Sequence, residues 1–260
     1  MARRPLARTR GPRGRGQYLA GLAAGIALGS TLRRPSQRPM PHMRIFQRTL
    51  ATTRGVVAAT ILSARIQAHY DTLLATRPRF AHPALRWHLT YQILPGLALY
   101  QAIKEDAAQR GSTQAAALAE TGATLERLDM LGPLLRQARW LPNLPALIRL
   151  TFSPMMKLYP AAGWDIRIEE QSPQRIAFKV SRCFYLDVLT AYGAPELTAH
   201  YCQLDDVAYR ELPSSVQWER TTTLGRGGPY CDFCWRVVGT AQAPAVSSSA
   251  PAGLRSQPAG

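Results

Sequence analysis

Residues 165–182 read DIRIEEQSPQRIAFKVSR, and their alternation decides the fold class. Side chains two apart share one face of a strand. In 175–181 that sets Ile176, Phe178 and Val180 together, and 165–170 alternates in the same way. Gln171-Ser172-Pro173 between them reads as a turn, so the two predicted strands form a hairpin. Downstream, 184–192 has helical spacing and ends at Gly193, a residue suited to the left-handed position after a helix. Pro195 suits the first turn of a second helix, expected to run to about Leu212, where Pro213-Ser214-Ser215 breaks it. Two more strands are expected over 216–224 and 230–238, joined by Gly225-Arg226-Gly227-Gly228-Pro229. The order ββααββ predicts an α+β unit with a mostly antiparallel sheet.

Upstream of Trp164 the period is helical. Ile45, Phe46, Thr49 and Leu50, then Val56, Val57, Ile61, Leu62, Ile66 and Tyr70, recur three and four apart. A second helix is expected over 83–104, kinked or split by Pro95-Gly96, and a third over 113–128 with Ser112 as its N-cap. Shorter helices are expected over 133–140 and 147–158. None of this half has catalytic spacing: His82 and His88 are six apart and His69 is alone, so the region reads as scaffold and pocket wall. The expected organisation is a basic arm over 1–42, a helical scaffold over 43–160, a site-bearing α+β unit over 161–240, and a Pro/Ala/Ser-rich disordered tail over 241–260.

Charge follows the same division. The chain of 260 residues has a net charge of +16, yet no Asp or Glu precedes Asp71, and 13 Arg do. The remainder carries 19 Lys plus Arg against all 16 acids, so basicity belongs to the arm. Aromatic residues are not interleaved with the basic ones and no nucleic-acid motif is present, which argues against a specific nucleic-acid partner. Residues 17–32 (QYLAGLAAGIALGSTL) follow the basic run as in an export signal, but they are too short and glycine-rich for a membrane span. The favoured expectation is a folded chain starting at Met40 or Met43, a cytoplasmic location, and a small-molecule partner. An apolar content of 46% permits a true core, and no oligomeric state follows from it.

Several short motifs fall in order along the second half. They are Arg182-Cys183, Tyr192-Gly193-Ala194-Pro195-Glu196-Leu197, Cys202 with Asp205-Asp206, Glu219-Arg220-Thr221, and Cys231-Asp232-Phe233. With Leu94-Pro95-Gly96-Leu97-Ala98-Leu99-Tyr100 upstream, the set resembles the L-2-amino-thiazoline-4-carboxylic acid hydrolase family over about residues 80–240. The resemblance implies a hydrolase acting on non-peptide carbon–nitrogen bonds of a cyclic amidine, opening a thiazoline ring towards an N-carbamoyl-cysteine. Two positions depart from the family pattern: Phe184 stands where Pro commonly follows the first Cys, and Cys234 is an additional thiol.

The residues themselves offer two chemistries. On a helix, Cys202, Asp205 and Asp206 are neighbours at i, i+3 and i+4, bordering an apolar stripe of Leu197, Tyr201, Leu204 and Ala208. Cys202 or Cys231 would serve a thiolate attack on the amidine carbon; Asp205, Asp206 or Glu219 would serve a general-base route. Arg182, Cys183, Arg220, Thr221 and Asp232 are the candidate substrate-binding residues, Arg220 as a bidentate partner for a carboxylate or else as half of a Glu219–Arg220 surface pair. His200 is two residues from Cys202, on another helical face, which argues against a Cys/His dyad.

Cys231 and Cys234 spell C-x-x-C, but three-residue spacing on a strand points the thiols to opposite faces, with Cys231 sharing Phe233 and Trp235. No cofactor is expected, although Cys183, Cys202 and Cys231 could converge on one metal or one pocket. The alternative to an enzyme is a non-catalytic small-molecule or metal-binding module on the same fold.

Overall fold

The computed structural model describes residues 39–238 except 130, 139 and 142. Residues 1–38 of the arm and the whole 241–260 tail lie outside the described residues. Met40, assigned to the arm by its sequence, is buried, with its N–H donated to Gln67 Oε1 at 2.9 Å.

The expected long first helical run is two helices, α1 (Met43–Arg54) and α2 (Val56–Thr76). Gly55 separates them at φ 84°, a conformation open to glycine and strained for other residues. The break turns α2 so that Leu62, Ile66 and Tyr70 enter the core, while Val56, Val57 and Ile61 of the same apolar pattern stay exposed. Next come α3 (Pro83–Trp87), a π-helical turn (His88–Ile93) and α4 (Leu94–Gln109). Pro95 has no N–H to continue the ladder, and the carbonyls left around it find side chains. His42 Nε2 lies 2.9 Å from Tyr91 O, and Tyr201 Oη donates to Gln92 O at 2.9 Å and Ile93 O at 3.2 Å.

After α5 (Gln114–Leu125), capped by Thr113 and not by Ser112, come α6 (Leu131–Ala138) and α7 (Leu144–Met156). Both of these begin earlier than their apolar spacing suggests. Asp129 Oδ1 accepts from Leu131 and Gly132 N–H, and Asn143 Oδ1 accepts from Ala146 N–H, fixing each start.

The ββααββ order is present: β1 (Asp165–Gln171), β2 (Arg175–Arg182), α8 (Phe184–Ala191), α9 (Thr198–Tyr209), β3 (Val216–Glu219) and β4 (Cys231–Val237). All pairings are antiparallel, in the order β1-β2-β4-β3. β3 is shorter than the expected 216–224. The Asp232 carboxylate accepts from Thr221 N, Thr222 N and Thr221 Oγ1, offering that backbone an alternative to the ladder. Register stacks Val180 opposite Cys231, Phe178 opposite Phe233 and Ile176 opposite Trp235. The Phe178 and Phe233 rings lie parallel at 4.7 Å. α7 covers part of this face, with Phe152 against Phe178 and Trp235.

α9 carries Cys202, and glycines let it approach its neighbours closely. A Cβ at Gly96 would fall 2.0 Å from Tyr201 Oη, and one at Gly225 would fall 2.8 Å from Cys202 Sγ and 2.9 Å from the Thr198 carbonyl carbon. Tyr201 is held by its two carbonyl acceptors and cannot swing aside. Gly96→Ala is therefore expected to destabilise the fold by about 2 kcal/mol, as overpacking of a filled core does. Chemical denaturation measures it, and a change near zero would mean that Tyr201 is free to move.

Candidate active site

Between the sheet, α7 and α9 lies a cavity of about 210 Å³. The sheet gives Ile166, Phe178, Val180, Cys231, Phe233 and Trp235; α9 gives Thr198, Tyr201, Cys202, Leu204, Asp205 and Tyr209. Tyr159, Trp164, Cys183 and Tyr185 close one end, with Met155 and Met156 from α7 and Gln92 from the π-helical turn. The alternation in β4 does what its sequence predicts: Cys231 lines the cavity beside Phe233 and Trp235, while Cys234 lies off it, next to Arg175 and Glu219.

The three thiols Cys183, Cys202 and Cys231 thus meet at one hollow, from β2's end, α9 and β4. Cys202 is the thiol held ready to ionise. Hydrogen bonding from the Cys231 thiol lowers its pKa most; burial opposes this, and Thr223 and the Arg220 charge add to the lowering. Cys231 moves the other way, kept protonated by that same bond and by burial, while accepting the Leu224 N–H at 3.2 Å. Burial pushes Cys183 up to about 12. Within the described residues no group of three His, Cys, Asp or Glu has an arrangement able to hold a metal ion.

Asp205 lies one turn from Cys202 on the same helical face. Burial raises its carboxyl to about 6 against the pull of Arg220. The side chain keeps 43% of its accessible surface and lines the cavity, so water there screens it.

Behind it the Arg220 side chain is only 2% exposed, with both terminal nitrogens paired and its buried Nε without a partner among the described residues. Nη1 reaches Asp205 Oδ2 at 3.0 Å, and Nη2 reaches Asp206 Oδ2 at 2.5 Å and the Cys202 carbonyl. Its guanidinium carbon sits over the Trp218 and Phe233 rings at 5.6 and 5.5 Å. Asp206 also receives Trp218 Nε1 at 3.1 Å and faces Arg226.

The remaining candidates stand outside the cavity lining. Glu219 pairs with Arg236 across the sheet, not with Arg220. Arg182 pairs with Asp187 at 3.0 Å and donates to Ala162 O. Thr221, in the loop after β3, bonds to Asp232 of β4. His200 packs on Gly122, away from Cys202 Sγ.

Sequence reasoning missed the aromatic wall, Thr198 and His88. His88 is buried against Tyr159, Trp164 and Tyr185, with Nε2 3.0 Å from Leu158 O and Nδ1 2.9 Å from Tyr185 Oη. A carbonyl only accepts, so Nε2 carries the proton and Nδ1 accepts from the tyrosine. Residues 86–235, which contain every element lining this cavity, match the family described as L-2-amino-thiazoline-4-carboxylic acid hydrolase.

The chain belongs to that family. As in the sequence reading, the thiazoline-carboxylate hydrolase likeness spans the helical LPGLALY segment and the ββααββ unit as far as Trp235. No curated protein matches the chain. A solved structure with some similarity is the SO2144 H-NOX domain of Shewanella oneidensis, determined by NMR in its Fe(II)CO state. It is 10% identical, covers 77% of this chain and 99% of that one, and has a TM-score of 0.36, too loose to bear on fold or function. Among the described residues no helix is long and apolar enough to cross a membrane.

Proposed function

We propose that this member of the thiazoline-carboxylate hydrolase family opens a cyclic amidine ring of the 2-amino-thiazoline type by thiolate attack. The observation that carries the reading is Cys202, lowered in pKa by the Cys231 thiol, on a cavity wall one helical turn from Asp205. The Cys202 thiolate adds to C2, and the adduct collapses with loss of the C2–S1 bond. The ring sulfur takes its proton through Asp205, whose carboxylate accepts it from the amidinium nitrogen as the adduct forms. Water, losing a proton to the Asp205 carboxylate, then adds to C2 of the thiol-linked amidine and expels Cys202. The net change is addition of one water.

An N-carbamoyl product keeps both nitrogens on the former C2, so the bond broken is carbon–sulfur and not the carbon–nitrogen bond first expected. The carboxylate-only route is less favoured by placement. Asp206 and Glu219 are engaged with arginines outside the lining, leaving Asp205 as the acid that faces the hollow.

The test is turnover. The purified 260-residue chain, given a panel of 2-amino-2-thiazolines, should release ring-opened ureido-thiols detectable by mass spectrometry, with a transient substrate adduct on Cys202. Binding without ring opening across the panel would leave a ligand-binding module in place of a hydrolase.

A further inference from the structure

The cavity's lining also restricts the kind of ring it takes, an inference that rests on the ring-opening reading above. Among the described residues no Lys, Arg or His lines it. A substrate carboxylate entering such a hollow would lose its hydration with no cation to replace it. Arg220 does not fill that role: it stands outside the lining, both terminal nitrogens serve Asp205, Asp206 and the Cys202 carbonyl, and its unpaired Nε is buried away from the hollow.

The polar groups that do face inward suit the opposite charge. Asp205 takes Arg220 on Oδ2, and no donor among the described residues reaches its Oδ1. Aromatic residues make up much of the remaining lining, among them Tyr159, Trp164, Phe178, Tyr185 and Trp235. Aromatic surroundings suit cations and apolar bodies alike. An apolar cavity of about 150 Å³ accommodates benzene, so 210 Å³ leaves room for one small heterocycle with an apolar substituent.

We propose that the occupant is a small cyclic amidinium with an apolar or aryl body and no carboxylate. Its amino group sits on Asp205 Oδ1, and its body lies among the aromatic side chains of the lining. This chain then departs from the carboxylated substrate in its family's name.

Three probes decide it on the unaltered protein: 2-amino-4-phenyl-2-thiazoline, the equally large but uncharged 4-phenyl-2-thiazolidinone, and the smaller 2-amino-2-thiazoline-4-carboxylate. Calorimetry should rank the phenyl cation tighter than each of the others by about tenfold or more, the worth of one charge-assisted contact. Asp205→Asn should erase the preference over the uncharged analogue, and Asp205→Glu should restore part of it. Preferential binding and opening of the carboxylate compound would overturn the proposal and leave the hydrolase reading intact. No binding of the phenyl cation would overturn it too. Phenyl-cation binding in the expected rank without ring opening would uphold the ligand class and remove hydrolysis alone.

Discussion

Cys202→Ser is expected to lower ring-opening turnover on the order of a thousandfold or more, with the fold retained. A serine hydroxyl fits the site but is not ionised near neutral pH, and nothing at hand takes its proton as readily as the thiol gives one up. Cys231→Ala tests the other half of the pair. It removes the hydrogen bond that contributes most to lowering the Cys202 pKa, so the thiolate fraction at neutral pH falls. The expected result is a smaller loss, about tenfold, with the acid limb of the rate profile moved to higher pH. If Cys231 only packed the sheet, the loss would not move the profile.

Cys234→Ser supplies the control, since that thiol lies off the cavity, and it should leave turnover unchanged. Rates and pH profiles of the three variants, with circular dichroism for folding, settle the matter. A Cys202→Ser protein that turns over normally sinks the thiolate route and moves attention to Asp205 as a general base.

Which of these residues could be read in advance follows from the range of the interactions that place them. Alternation is local, so the 165–182 hairpin, the opposed faces of Cys231 and Cys234, and the i, i+3 pairing of Cys202 with Asp205 were all legible. Charge pairing is not local. Glu219 and Arg220 are adjacent in sequence at the end of β3, yet they find different partners. Glu219 finds Arg236 on β4, and Arg220 finds Asp205 and Asp206 on α9, 15 and 14 positions away.

The aromatic wall was hidden for a different reason. Tyr159, Trp164 and Tyr185 look like ordinary core residues until the sheet and α9 leave a hollow between them. The early end of β3 depends on one side chain, Asp232, whose three acceptor contacts compete with strand pairing in a way that strand propensity does not register. Thr198 gave no signal at all, because an unpaired hydroxyl is a property of surroundings and not of sequence.

Stability should fall in mild acid, and His88 is the main cause. Unfolded, its imidazole takes a proton near its ordinary pKa of 6.5; folded, burial delays this to about 4, and the Leu158 carbonyl opposes the shift only in part. Between those values the unfolded chain binds more protons, so the stabilisation is complete above about pH 6.5 and is lost as pH falls towards 4. A shift of that size corresponds to about 3 kcal/mol, at about 1.4 kcal/mol per unit, and the 3% exposure of His88 leaves little water to screen it.

Asp205 works against this. Its folded pKa is raised, so the folded chain gains protons, and stability, as pH falls through about 6. That side chain is 43% accessible, however, and its contribution is the smaller of the two. Urea denaturation at pH 7 and at pH 4.5 measures the balance for wild type. His88→Gln isolates the histidine: an amide can donate to Leu158 O and accept from Tyr185 Oη without titrating. The variant should lose markedly less stability between the two pH values than wild type, whatever its starting value. Equal losses would mean that His88 charges in place, with Tyr185 and the cavity end yielding to admit water.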